Sequence, residues 1–360
     1  MSRRSPSSSQ YAASLAESTH NEPDASAAAL PSVRVLLLGP RFFDYELDIS
    51  QELQRQGFEV SSADERPSNA PIVRAILRTA PRIAAPIVKR YYQRLLSAYK
   101  DIRFAVVIVI KGEVVPSWFL AALRTTSPDA RFVLYLYDSI GNSSRFLDIL
   151  DCFDAAYSFD RHDVASVSQL AYLPLFYAND FVSVGPAPSH PTPLSFVGTI
   201  HSDRYLYLSR IQTRRGGTSD EIFLYSPARW YFALMKILSP AYRRVPWSAV
   251  SFSPITRADV ADIFRRSHAV LDIHHPGQSG LSPRVFEILA TGAILVTTNQ
   301  SVRHEPFYDP SRVVILPPID QLDVEALDQT LLTLGRPSGP PEGLEEYSID
   351  KWVQHIVRGV

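Results

Sequence analysis

The chain has 360 residues, 46% hydrophobic and 20% charged, a balance that excludes a disordered or fibrous protein and favours two globular domains. Lys and Arg total 36 against 37 for Asp and Glu, so a net charge of -1 gives no overall pull toward nucleic acid. The single cysteine, Cys152, excludes a disulfide framework or a Cys-rich zinc module and suits a reducing, cytoplasmic setting. Beside Phe153 it reads as a buried thiol rather than a nucleophile.

Residues 1–31 are rich in Ser, Ala and Pro, and no continuous apolar segment follows Arg3-Arg4, so a disordered leader is expected rather than an export signal. Order is expected from Val33. No stretch reaches the roughly 18 apolar residues that a bilayer requires; Phe104 to Ile110 is only strand-length. Val33 to Leu38 predicts a strand ending at Gly39-Pro40, and Leu47, Ile49 and Leu53 carry helical spacing up to a stop at Gly57. Phe58 to Val60, Phe104 to Ile110 and Phe132 to Tyr137 are further strands, the last two apolar throughout as in a parallel sheet covered on both faces. Ser117 to Arg124 is the helix between them. Asp154 to Phe159 and Ala171 to Leu173 add two short strands before the proline-rich stretch that holds Pro186, Pro188, Pro191 and Pro193.

The alternation then restarts. Strands are expected at Leu194 to Val197, Ile222 to Tyr225, Val250 to Phe252, His268 to Ile273, Ala293 to Thr298 and Val313 to Leu316. Helices are expected at Asp203 to Gln212, Arg229 to Leu238, Arg257 to Arg266 and Pro283 to Thr291. Two doubly wound α/β domains follow from this pattern: 32–178 and 194–335, joined by a linker at 179–193 and closed by a segment at 336–360 that holds Trp352. Their ligand belongs in the cleft at the carboxyl ends of the strands.

The first strand is followed by Gly39-Pro40-Arg41-Phe42-Phe43, not G-x-G-x-x-G. The chain also lacks a P-loop, an H-E-x-x-H and a D-x-D pair for a divalent metal. His274 and His275 are adjacent, so on a strand they face opposite ways and do not share a metal easily. Leu271 to Asn299 reads as strand, glycine-rich turn, helix, Gly292, strand. Gly280 and Ser282 loosen the turn, and Pro283 opens a helix whose free amides suit a diphosphate. Glu287, one turn in, can meet two vicinal hydroxyls such as those of a ribose; the same residues also describe a capped amphipathic helix with a surface glutamate. Arg66 to Lys100 carries eight cations and no acid, interleaved with apolar residues and broken near Pro81 and Pro86. That pattern fits an anionic lipid surface as well as an ordinary solvated helix face.

Several ordered segments resemble the GT-B glycosyltransferases, in particular the spore-maturation-type and the capsule or lipopolysaccharide sugar transferases of bacteria. They are Val109-Ile110-Lys111-Gly112-Glu113, Leu136-Tyr137-Asp138-Ser139, Tyr157 to Asp163, Tyr172-Leu173-Pro174-Leu175, Phe196 to Arg204 and Leu271 to Asn299. The resemblance spans roughly Val33 to Leu316. It implies two Rossmann-like domains facing across a cleft, a nucleotide-diphosphate sugar donor on the second, a hydroxyl acceptor on the first, and no bound metal or other cofactor. It implies donor-binding roles for Gly198, Thr199, Arg204, Gly280, Leu281, Ser282, Arg284 and Glu287. Asp138 is the first candidate for base or acceptor contact, then Glu113 and His162, with Lys111 and Asp160 on the acceptor side. Ser279 stands where many retaining relatives carry an acid, which leaves the stereochemistry open. The expected role is sugar transfer in bacterial surface polysaccharide synthesis, in the cytoplasm or at the inner membrane face, on a glycan or lipid-linked acceptor. A sugar-nucleotide epimerase and a non-catalytic sugar-nucleotide binder use the same architecture and stay open as alternatives.

Overall fold

A computed structural model describes residues 33–360 except 41–44, 142–143, 184, 186–187, 202, 217–218, 276 and 359–360. The expected leader, and Arg41, Phe42, Phe43, Pro186 and Ser202 of the segments quoted above, lie outside the described residues. In chain order the first half comprises β1 (Arg34–Leu38), α1 (Tyr45–Arg55), β2 (Glu59–Ala63), α2 (Pro71–Thr79), α3 (Pro81–Tyr99), β3 (Val106–Ile110), α4 (Ser117–Thr126), β4 (Arg131–Leu136), β5 (Ala155–Ser158), α5 (Arg161–Ser166) and β6 (Leu170–Tyr172). The second half comprises β7 (Thr192–Thr199), α6 (Arg204–Arg214), β8 (Glu221–Tyr225), α7 (Arg229–Leu238), α8 (Pro240–Arg243), α9 (Arg257–Arg266), β9 (Ser267–Asp272), α10 (Pro283–Ala290), β10 (Ile294–Thr297), β11 (Val313–Ile315), α11 (Val324–Leu334) and α12 (Ile349–Ile356).

The strands form two parallel sheets, β2-β1-β3-β4-β5-β6 and β11-β10-β9-β7-β8. In the first, Val35 pairs with Val106; in the second, Val270 pairs with Leu295. Because side chains alternate along a strand, these apolar runs serve two cores at once. Val35, Leu37, Val106, Ile108 and Ile110 join a cluster that continues into the second half through Val270, Phe286 and Leu295. Leu36, Leu38, Val107 and Val109 face a second cluster under α3 and α4, and Ala269, Leu271, Ile294 and Val296 face a third. Each of these buried Val, Leu, Ile and Phe side chains adds about 1.5–3 kcal/mol of hydrophobic stabilisation before entropy is counted. One core therefore runs through both halves.

Three expectations need correction. Val250 to Phe252 is not a strand; it makes one isolated bridge, Tyr225 to Ser251, and Pro246 and Pro254 bound it too closely for more. Phe252 instead packs its ring on Phe232 and Trp247. The helical break is at Pro81 only, since α3 runs through Pro86, whose exposed position lets water satisfy the freed Arg82 carbonyl. Cys152 is half-buried rather than enclosed. Among the described residues no helix is long and apolar enough to cross a membrane. After the second sheet the chain returns to the first half: α12 packs on α1, and the Trp352 ring contacts Tyr135 and Phe176 at 4.8 and 5.1 Å.

Candidate functional site

Each sheet has one place where the connections leaving adjacent strands diverge, and open α/β sheets bind ligands in the crevice there. In the second sheet this is the β7/β9 boundary, in the first the β1/β3 boundary. Thr199 at the end of β7, His201, Arg204 at the start of α6, and His274, His275 and Ser279 to Ser282 after β9 flank this boundary, and Arg204 and Arg284 charge it positively. Burial first, then Arg204 and His275, hold the His201 imidazole down to about 3. His274 is also lowered by burial, and Arg204 falls to about 9 through burial and the Arg284 charge. The His201 and His275 rings lie 5.3 Å apart. Like charges thus disfavour one another at the opening turn of α10, whose backbone amides add a positive end.

Helix α10 begins at Ser282 without a side-chain cap, and the Ser282 hydroxyl is buried with no partner. Arg284, about a quarter exposed, is held by Asp272 at 3.2 Å. Arg204 is placed differently from a phosphate-gripping cation. It is buried at 4% exposure and donates to the carbonyls of Ile273 (2.7 Å) and Thr199 (2.6 Å), so it ties the two loops together while adding its charge. Gly198 sits beneath it: a Cβ there would lie 2.8 Å from the Phe196 ring and 3.1 Å from the Arg204 guanidinium. Leu281 is buried in the shared core. Asn299 clamps the turn by donating to the carbonyls of Ser279 and Gly280, both at 3.2 Å.

Glu287 lies on the inward face of α10, and burial pushes its carboxyl up to about 7 against the opposing pull of the Tyr45 hydrogen bond and Arg284. The Tyr45 hydroxyl, from α1, donates to Glu287 Oε1 at 2.9 Å. Arg257 of α9 sits 5.8 Å from the Tyr45 ring and bonds Asp48 at 2.5 Å. A second bridge joins Asp160 to the glycine-rich turn. Asp160 accepts from the Ser279 amide at 3.2 Å and from the Ser279 hydroxyl, while Ser139 donates from its own half at 2.6 Å. Burial pushes the Asp160 carboxyl up, but the bonds from Ser139, Ser279 and the His162 and Gly280 amides outweigh it and keep Asp160 ionised below the usual range. Asp160 also caps α5. His162 is exposed on the first turn of that helix, and its backbone amide donates to Asp160 at 2.9 Å.

At the β1/β3 boundary a cavity of about 120 Å³ is lined by Tyr45, Glu46, Arg66, Arg74, Lys111, Tyr137 and Asp138, among others. Lys111 adopts φ 80, a conformation that β3 leaves only at a constrained turn. Its ammonium bonds Asp138 and reaches Glu113 at 3.3 Å, and Glu113 in turn meets Arg66 at 3.3 Å. Glu65 lies beneath, fully buried, accepting from the Glu113 amide at 3.1 Å; burial and then Glu113 push it up to about 8. The Tyr137 hydroxyl is buried without a partner beside this cavity. Asp138, Glu113 and Lys111 are therefore brought together, and Asp160 stands apart at the interface of the two halves.

Tyr45, Glu65, Arg257 and Asn299 belong to the site and were missed in the sequence. Tyr45 and Arg257 meet Glu287 only through the tertiary fold, and Glu65 sits in an unpatterned loop. Asn299 had a usable signal, a polar residue directly after an apolar strand that faces the glycine-rich turn.

Two parallel sheets with their strand ends and divergent loops apposed define the GT-B fold. Residues 221–331 match a protein-family model described as glycosyl transferase-like. No curated protein matches the sequence. Among solved structures, an α,α-trehalose-phosphate synthase from Burkholderia xenovorans, in complex with glucose-6-phosphate, superposes with TM-score 0.58 at 13% identity, covering 91% of this chain and 99% of that one. A glycosyltransferase from Rickettsia africae gives TM-score 0.54 at 10% identity over 92% and 100%. HepE from Anabaena in complex with UDP-glucose gives 0.51 at 11% over 90% and 94%.

Proposed function

We propose that the protein is a glycosyltransferase that moves a sugar from a nucleoside-diphosphate donor to a hydroxyl acceptor. The observation that carries this reading is the pair of cations, Arg204 and Arg284, at the uncapped N-terminus of α10, with Glu287 one turn further in. A diphosphate there would relieve the mutual repulsion of Arg204 and Arg284 and accept hydrogen bonds from neutral imidazoles, and Glu287 would take the ribose hydroxyls in place of Tyr45. The likeness to HepE, solved with UDP-glucose, makes UDP-sugars the first donors to try. These cations and the helix end can neutralise the departing diphosphate, which gives no resident metal a necessary role.

The acceptor belongs in the cavity below Lys111, whose carboxylates and tyrosines suit a polyhydroxylated ligand. In transfer with inversion, the acceptor oxygen attacks the anomeric carbon, the bond to the diphosphate oxygen breaks, and Asp138 takes the proton. A place in bacterial surface polysaccharide synthesis, at the inner face of the membrane, rests on the sequence resemblance and on the basic stretch Arg66 to Lys100, where Ile83 and Ile87 are exposed.

Differential scanning of the protein with UDP, GDP and their sugars, with and without magnesium, tests the reading. A shift of several degrees for one nucleotide, lost in Glu287→Ala, is expected. No shift with any nucleotide would refute it. Interconversion of a free sugar nucleotide without acceptor would replace it with the epimerase alternative.

A further inference from the structure

Helix α7 is apolar on two faces, and only one of them is used. Phe232 is buried and packs against Tyr242, Trp247 and Phe252. On the other side Trp230, Leu234, Ile237 and Leu238 are 72, 45, 70 and 65% exposed. At about 100° per residue these four fall within one stripe roughly 100° wide. Trp247, 44% exposed, lies in the turn after α8. An exposed apolar stripe of this kind marks an interaction surface rather than scattered surface residues.

The charge along the segment that carries the stripe has one sign. Between Glu221 and Asp259 there is no acidic residue, while Arg229, Lys236, Arg243 and Arg244 fall in the same stretch. Arg229, Arg243 and Arg244 are exposed. The corner is also tied by hydrogen bonds. Lys236 donates to the carbonyl of Val245 at 2.6 Å, and Arg243 donates to that of Ile237 at 2.7 Å, closing the end of α7 onto α8. A second copy of the chain, docked through the same segment, would bring these cations against their own equivalents, which repel. A surface that is apolar, tryptophan-bearing and flanked by cations complements the boundary between headgroups and acyl chains of an anionic bilayer.

We propose that the α7–α8 corner is a membrane-docking surface, with Trp230, Leu234, Ile237 and Leu238 entering the interface and Arg229, Arg243 and Arg244 meeting anionic headgroups. This is a separate surface from the Arg66 to Lys100 stretch, and it does not depend on which donor the protein uses.

Flotation of the whole chain with vesicles tests it, using phosphatidylcholine alone and phosphatidylcholine with roughly a third phosphatidylglycerol. The wild type is expected to float with the anionic vesicles only, less so as salt rises. Trp230→Gln with Ile237→Gln should cut the bound fraction at least about tenfold without lowering the melting temperature, since both side chains are exposed. Arg244→Glu should weaken binding by a smaller factor. Ile83→Gln with Ile87→Gln, on α3, should leave most of the binding in place. The proposal fails if the wild type does not float or if the Trp230/Ile237 variant floats like the wild type. It also fails if the α3 variant alone abolishes binding, or if the wild type sediments as a dimer that the Trp230/Ile237 variant dissolves, which would assign the stripe to a second copy.

Discussion

At the scale of single residues, the contact between Tyr45 and Glu287 sets the energetics of the crevice. Among the described residues the carboxylate takes one hydrogen bond, at 2.9 Å, and a ribose hydroxyl would compete for the same oxygen. Tyr45→Phe is therefore expected to act in two directions. The buried carboxyl loses its donor, which costs about 1–3 kcal/mol and lowers the melting temperature. Nucleotide affinity should rise severalfold, because no hydroxyl remains to be displaced; scanning calorimetry reads the first effect and titration calorimetry the second, and unchanged affinity would detach Glu287 from the ligand. Glu65 makes a separate, pH-dependent contribution. Its carboxyl stands at about 8 in the folded chain against an ordinary 4.5, so the folded state holds the proton more tightly. The associated stability is complete below pH 4.5 and is lost as pH rises toward 8, at up to about 1.4 kcal/mol per unit of displacement. Glu65→Gln cannot ionise. Urea unfolding should show it close to wild type near pH 5 and more stable than wild type near pH 8.5; parallel curves across that window would remove Glu65 as the source.

At the scale of elements, the glycine-rich turn and the end of β5 fit each other closely. A Cβ on Gly280 would stand 2.5 Å from the Phe159 ring and 3.0 Å from its carbonyl oxygen. Gly280→Ala must push the turn off β5 and strain the Asp160 to Ser279 bonds, at an expected cost of about 1–3 kcal/mol, measurable as a lower urea midpoint. The strands themselves were readable in advance: Phe104 to Ile110 and Phe132 to Tyr137 are too apolar for anything but a doubly covered sheet, and both form one. Val250 to Phe252 is shorter, holds Ser251 at its centre and is fenced by prolines, and its Phe252 ring is taken up by the cluster of Phe232 and Trp247. The site divides in the same way. Glu287 and the turn before α10 lie within one local segment, so their proximity is a matter of helix geometry. Tyr45, Asp160 and Arg257 reach them from far along the chain, and no local pattern encodes where two sheets will meet. Arg204 shows the finer limit, since a cation at the right spacing proves to be bonded to two carbonyls.

For the molecule as a whole, Glu305 joins three regions. Its carboxylate, 4% exposed, accepts from Tyr172 at 2.6 Å and Arg161 at 3.0 Å in the first half, and from Tyr347 at 2.9 Å in the closing segment. Glu305→Ala would leave two hydroxyls and a guanidinium without their acceptor. Because Arg161 is partly exposed and regains water, the expected loss is about 2–4 kcal/mol rather than the full cost of a buried charge. A change under about 0.5 kcal/mol would mean that the halves hold together without help from this junction.

The packing of α12 on α1 also bears on how the chain is made. Gln56 on one side and Asp350 on the other are hydrogen-bonded although 294 positions apart. A ribosome delivers residues in order, so the first sheet emerges long before the helix that covers Tyr135 and Phe176. During that interval its aromatic surface is open to solvent and to chaperones, and the first half can complete its fold only after the second has been synthesised.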